Sequence, residues 1–160
     1  MSATRLTLAE TATICWQTHS VLFVDTGALF AFLVRADIHH LDAVRAEADM
    51  RSRREQLWTI DPVLTELWLL LRREIGVARS DALLAGLLDR GVRRETLQDQ
   101  DFMRAWQFGR EWSDQNFSLT DRQAFAVLER IRQNRAWSYD NDFAVVRLGP
   151  QRDRALDLVR

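Results

Sequence analysis

The stretch Val21-Leu22-Phe23-Val24-Asp25-Thr26-Gly27 decides the fold. Four consecutive apolar residues with no polar alternation are what a strand covered on both faces looks like, and such strands belong to parallel sheets. The run then breaks at Asp-Thr-Gly, which leaves a carboxylate at the strand's C-terminal end. In an open parallel sheet that end borders the crevice where ligands bind.

Downstream, helix and strand signals alternate. A short helix over 28–34 follows the turn, and Asp37 can cap a longer one to about residue 54, where Ile38, Leu41, Val44 and Ala48 recur at helical spacing. Residues 57–60 form a second strand. Asp61-Pro62 then supplies a cap residue and a proline at the first helical position, opening a helix to about residue 75. Ser80 can cap a helix to residue 90 that Gly91 ends, 94–97 reads as a third strand, and 99–112 as a helix. Thr120 and Gln123 have capping-box spacing at the start of a helix to about 132. A strand over 136–139 ends in Asp140-Asn141-Asp142-Phe143, and 144–148 reads as an edge strand before Pro150. Strands separated by one or two helices predict an α/β fold with a mainly parallel sheet.

Composition bounds the rest. At 160 residues with 47% apolar content, the chain suits one domain with one core. The organisation expected is an N-terminal extension over 1–20, a domain over 21–149 and a tail over 150–160. All 22 basic residues are arginines, against 23 acids, so the net charge of -1 is not that of a passive nucleic-acid coat. Four acids set aside at a metal site would leave the arginines in excess elsewhere. A single cysteine, Cys15, excludes a disulfide within the chain. No apolar run approaches the roughly 20 residues of a membrane helix, and the first residues lack signal-peptide patterning, so no membrane partner and a cytoplasmic location are expected.

The acids at element ends are the informative residues. Asp25 and Asp140 end strands, Asp121 sits at a helix start, and Glu66 is the one acid in the apolar run Val63-Leu64-Thr65-Glu66-Leu67-Trp68. Each has an ordinary structural explanation: a polar strand end, a charge favoured by the helix dipole, a solvent-facing stripe, a turn acid. Asp61, before proline, is better explained as a helix cap. Four acids from four elements meeting in one crevice would repel one another, and hard divalent cations such as Mg²⁺ or Mn²⁺ resolve that repulsion with oxygen ligands alone. Such ions polarise a phosphate and acidify a bound water.

The motifs Val24-Asp25-Thr26-Gly27-Ala28-Leu29, Leu64-Thr65-Glu66-Leu67, Leu119-Thr120-Asp121 and Tyr139-Asp140-Asn141-Asp142-Phe143 together resemble the acidic motifs of PIN-domain nucleases. The likeness is fullest to the VapC-type toxins of toxin–antitoxin modules, and it covers about residues 21–149. It implies a three-layer α/β/α sandwich and endonucleolytic cleavage of RNA dependent on Mg²⁺ or Mn²⁺. It also implies a homodimer and inhibition by a small antitoxin. Carried over by position, Asp25, Glu66, Asp121 and Asp140 are the catalytic, metal-binding acids, Asp142 is a further ligand, and Thr26 and Thr120 support them.

Two other readings compete. Asp25-Thr26-Gly27-Ala28 is also the signature of retroviral-type aspartic proteases, though those are built from β-strands, and a PIN-like fold can persist as an inactive binding module. His39 and His40 are adjacent on a helix, unlike the spaced pairs that hold zinc, and read as surface residues. Ser20 lacks the glycine elbow of a hydrolase nucleophile. Phe102, Trp106 and Trp112 read as core, with base stacking by Trp106 or Trp112 the alternative. Arginine clusters at 51–54, 72–73, 90–94 and 130–135 suit helix C-termini, with phosphate guidance by one or two of them left open.

Overall fold

A computed structural model describes residues 20–160; Cys15, His19 and the rest of the expected extension lie outside them. Strand β1 (Val21–Val24) is buried along its whole length. It is followed by α1 (Thr26–Leu33) and α2 (His40–Ser52), then β2 (Gln56–Ile60), α3 (Asp61–Ile75), α4 (Val77–Asp89) and β3 (Arg93–Glu95). Next come α5 (Asp99–Glu111), α6 (Leu119–Arg130), β4 (Arg135–Trp137) and the short α7 (Asp142–Val145). Three short strands, β5 (Arg147–Leu148), β6 (Arg154–Ala155) and β7 (Asp157–Val159), finish the chain.

The main sheet has the order β3-β2-β1-β4-β7, every neighbour parallel. From β1 the chain steps outward to β2 and β3, then returns across β1 to β4. The reversal lies between β1 and β4, the kind of switch point at which open parallel sheets hold ligands. Alternation along β1 divides the core. Phe23 stacks on Phe143 at 5.9 Å and meets Trp58 edge-on at 5.0 Å, and the aromatic chain continues through Phe125 to Phe108 and Phe117. On the other side Trp137 meets Phe32 of α1. The sheet is thus filled on both faces, as the apolar run of β1 predicts.

Several local expectations are corrected. Asp37 does not cap α2; it closes the preceding turn by accepting the His39 N–H at 2.8 Å, and His39 is the cap. Asp61 is the first residue of α3 rather than its cap, and its carboxylate pairs with Arg94 instead. Ser80 lies inside α4, where its hydroxyl donates to the Gly76 carbonyl at 2.8 Å. Gly91 ends α4 as expected, with φ of 92°.

The stretch 144–148 is not one edge strand. Its first half belongs to α7, and its second is a bridge to β6 outside the main sheet. Nor does the folded sheet stop at 149: β7, in the presumed tail, is the fifth strand of the sheet, because β4 otherwise leaves an edge of unpaired backbone groups.

The aromatic residues of α5 also divide differently. Trp112 is partly buried against Phe117, but Phe102 and Trp106 are 42% and 49% exposed. Helices α5 and α6 run antiparallel, and the face of α5 turned to α6 carries Asp101, Ala105 and Phe108. Phe102 and Trp106 therefore point outward.

Candidate active site

Asp25 emerges from β1 and caps α1: its Oδ1 accepts the Thr26 N–H at 2.7 Å, and its Oδ2 accepts the Ser138 hydroxyl at 2.9 Å. Thr26 turns its own hydroxyl to Glu66 Oε2 at 2.9 Å. Ser138 also accepts the Asp140 N–H at 3.0 Å, and Asp140 Oδ1 accepts the Asp142 N–H at 2.9 Å. A continuous series of hydrogen bonds therefore runs from Glu66 through Thr26, Asp25 and Ser138 to Asp140 and Asp142. It joins α3, the end of β1 and the end of β4.

Asp121 approaches from α6. The expected capping box is displaced by two residues: Ser118, not Thr120, is the cap, and Asp121 is its reciprocal partner. The Ser118 hydroxyl accepts the Asp121 N–H at 3.1 Å, while Asp121 Oδ2 accepts the Ser118 N–H at 2.9 Å. One carboxylate oxygen is thereby fixed and the other is left for the crevice. Carboxylate oxygens of Asp121, Asp140 and Asp142 lie within 4.8 Å of one another, a spacing that a single metal ion can span. Thr120, no longer a cap, borders the same open depression as Glu66, beside Thr96 and Leu97.

The electrostatics match this crowding. Burial pushes the Asp25 carboxyl up to about 7 against the pull of the Ser138 hydrogen bond, and the charges of Asp121 and Asp140 push it further. Burial likewise raises Asp121 to about 6, with Asp140 and Asp142 adding to it, and Asp142 is raised by burial and by Asp140. Among the described residues no arginine forms an ion pair with any of the five acids. The arginine clusters are largely engaged elsewhere: Arg51 with Glu47, Arg94 with Asp61, Arg130 with Asp101 and Glu95, Arg135 with Glu55 and Asp157. The donor set is oxygen-only and carries excess negative charge, which fits a hard divalent cation.

Two contributors escape a reading of the sequence. Ser138, fully buried, holds Asp25 and the Asp140 backbone with one hydroxyl; its only signal is a serine two residues before a strand-end aspartate. Ser118 had a signal, since its spacing to Asp121 equals that of Thr120 to Gln123. His39 and His40 are half-buried and have partners. His40 bonds the Ala31 carbonyl at 2.8 Å, and His39 lies flat against Tyr139, the neighbour of Asp140.

Known proteins share this fold. The PIN domain family matches residues 22–148. Among curated proteins, the 23S rRNA-specific endonuclease VapC20 of two Mycobacterium tuberculosis strains is 30% identical over 124 residues, covering 78% of this chain and 92% of the relative. The crystal structure of M. tuberculosis VapC20, described as a Sarcin-Ricin loop cleaving toxin, superposes with a TM-score of 0.67 at 27% identity, over 77% of this chain and 92% of that one. VapBC2 from Rickettsia felis, bound to a DNA fragment from its promoter, shares the fold with a TM-score of 0.64 at 9% identity, over 88% of this chain and 99% of that one. A toxin–antitoxin complex from Klebsiella pneumoniae does so at 0.56 and 16%, over 78% and 91%.

Proposed function

Because the chain belongs to the PIN-domain family, with a VapC-type endonuclease among its relatives, we propose that it is a metal-dependent endoribonuclease, the toxin of a type II toxin–antitoxin pair. The observation that carries this reading is the convergence of Asp25, Glu66, Asp121, Asp140 and Asp142 on the β1–β4 switch point without a cationic partner. Asp121, Asp140 and Asp142 would hold Mg²⁺ or Mn²⁺, with Asp25 and Glu66 completing the acidic rim. A divalent ion there supplies charge that polarises a phosphate and acidifies a water for in-line attack.

The protein's own residues order this site. Ser138 keeps Asp25 and Asp140 in register, Thr26 orients Glu66, and the Ser118 backbone fixes one oxygen of Asp121. The aspartic-protease reading of Asp25-Thr26-Gly27 fails on the fold, since Asp25 ends a strand of a parallel sheet packed by helices.

Ribosomal RNA is the first substrate to test. Purified protein should cut it only when Mg²⁺ or Mn²⁺ is added, and Asp25→Ala or Asp121→Ala should abolish both cutting and growth arrest on expression while leaving the protein folded. Full cleavage by either variant would sink the assignment. Harmless expression with no detectable metal binding would instead favour an inactive binding module.

A small antitoxin that masks the acidic rim is the partner this reading requires, and the cytoplasm is its place of action. No helix among the described residues is long and apolar enough to cross a membrane. The homodimer has support in α5. Its outer face carries Asp99, Phe102, Met103, Trp106 and Arg110, and neither terminal charge is ion-paired among the described residues. Two copies laid antiparallel would set Met103 against Trp106 and Asp99 against Arg110, a self-complementary contact. Trp106→Glu should make the protein monomeric by light scattering.

A further inference from the structure

Tyr139 separates the two residues that organise the acids, Ser138 and Asp140, so its Cα is about 3.8 Å from that of Asp140. Its ring is covered by the imidazole of His39, with centroids 4.4 Å apart and planes 2° from parallel. The pair is rigidly mounted. Asp37 Oδ1 accepts the His39 N–H, the His39 carbonyl accepts the Ala43 N–H at 2.8 Å, and His40 ties the same turn to Ala31. The Tyr139 hydroxyl is buried on the Trp137 side.

His39 itself is only partly buried, and one face of its ring is taken by Tyr139. Neither ring nitrogen has a hydrogen-bond partner among the described residues, and neither is sealed from solvent. Beside it, Ile38 and Leu41 are 89% and 69% exposed. The result is a stacked aromatic pair with free imidazole nitrogens and an apolar border, one residue along the chain from the strand-end Asp140.

We propose that the stacked His39–Tyr139 pair is a nucleobase platform, on which an RNA strand held at the carboxylates lays a base flanking the scissile phosphate. The proposal rests on the ribonuclease reading and adds a specificity-determining element to it. Single-stranded bases are recognised by stacking on aromatic rings and by bonding to their edges, and His39 offers both. Tyr139 backs the imidazole, so a base meets a surface already in place.

The test uses the full-length protein in an Asp121→Asn background, which keeps the RNA uncut. The probes are an RNA of sarcin–ricin-loop sequence and an unstructured RNA, each with 2-aminopurine at successive positions. Fluorescence should be quenched at one position on binding. In the same background His39→Ala should abolish that quench and weaken binding roughly 5- to 150-fold, the span that base–aromatic stacking covers. His39→Phe should restore both, a recovery that a purely structural or charge role would not give.

Unchanged binding in His39→Ala overturns the proposal. So does a loss that phenylalanine does not rescue, or a defect confined to binding of a protein partner. If the Asp121→Asn parent binds neither RNA, the ribonuclease reading falls and takes the platform with it; binding by the parent with no position-specific quench removes the platform alone.

Discussion

Asp101 and Asp121 hold the same place in their helices. Each is the third residue of a helix, each returns a carboxylate oxygen to its cap residue's N–H at 2.9 Å, and each is buried. Their surroundings then diverge. Arg130 Nε reaches both oxygens of Asp101, at 2.8 and 3.0 Å, while its Nη2 binds Glu95. Nearby, Arg104 joins Glu129 and Glu111 and lies over the Phe108 ring at 4.2 Å. The charged neighbours of Asp121 are instead the acids Asp140 and Asp142. One sequence device thus makes a structural staple where a guanidinium closes the charge and a candidate ligand where none does. The missing cation, not the aspartate, marks the site.

Exchanging the roles by mutation tests that distinction. Asp121→Ala should remove cleavage entirely and leave the melting temperature unchanged or higher, because it relieves repulsion. Asp101→Ala removes the partner of the Gln98 cap and one of Arg130's two acidic partners, leaving Glu95, and should cost about 2 kcal/mol in denaturant unfolding, while the protein that remains folded still cuts RNA. If Asp101→Ala abolished cleavage in folded protein, the contrast would be false.

A smaller effect is expected at Ser138, which only supports the ligands. Ser138→Ala should lower metal affinity by about 10- to 100-fold, the usual range for residues that orient ligands, without loss of fold. Rescue by raised Mn²⁺ would separate this from loss of a ligand.

The smallest effect is in the pH dependence of the metal-free protein. Asp25 at about 7 and Asp121 at about 6 keep protons that the unfolded chain releases near pH 4. Their contribution to stability is therefore fully present below about pH 4 and lost as pH rises through about 7. The metal-free melting temperature should fall between pH 5.5 and 8, and saturating Mg²⁺ or Mn²⁺ should recover most at the upper end. A metal-free protein that grows more stable across that interval would show the acids to be paired after all.

The sequence was most legible where local and global demands coincide. β1 is a continuous apolar run because both faces are covered, and its Asp-Thr-Gly break located the crevice directly. Three of the four acidic motifs could be placed because they sit at element ends, and Glu66 because it is the one acid in the apolar run of α3. β3 and β7 were harder: each is three residues long, β3 is all charge and β7 is a bare Asp-Leu-Val, and they exist because a neighbouring strand pairs with them. Ser118 and Thr120 compete for one cap, and the sequence alone does not separate them. Phe102 and Trp106 have the composition of a core face, yet the face of α5 turned to α6 is the one that carries Asp101, Ala105 and Phe108, with Arg104 beside it.

β7 lies parallel to β4, so it finishes at the same end of the sheet as the acids; the Val159 carbonyl accepts the Ser138 N–H at 3.3 Å. Any tag or fused protein joined after Arg160 would emerge beside the serine that aligns Asp25 with Asp140. Ser20, at the foot of β1, hydrogen-bonds to Gln56 and Arg135 at the opposite end. Affinity handles and fluorescent reporters joined after Arg160 would therefore sit close to the acidic rim.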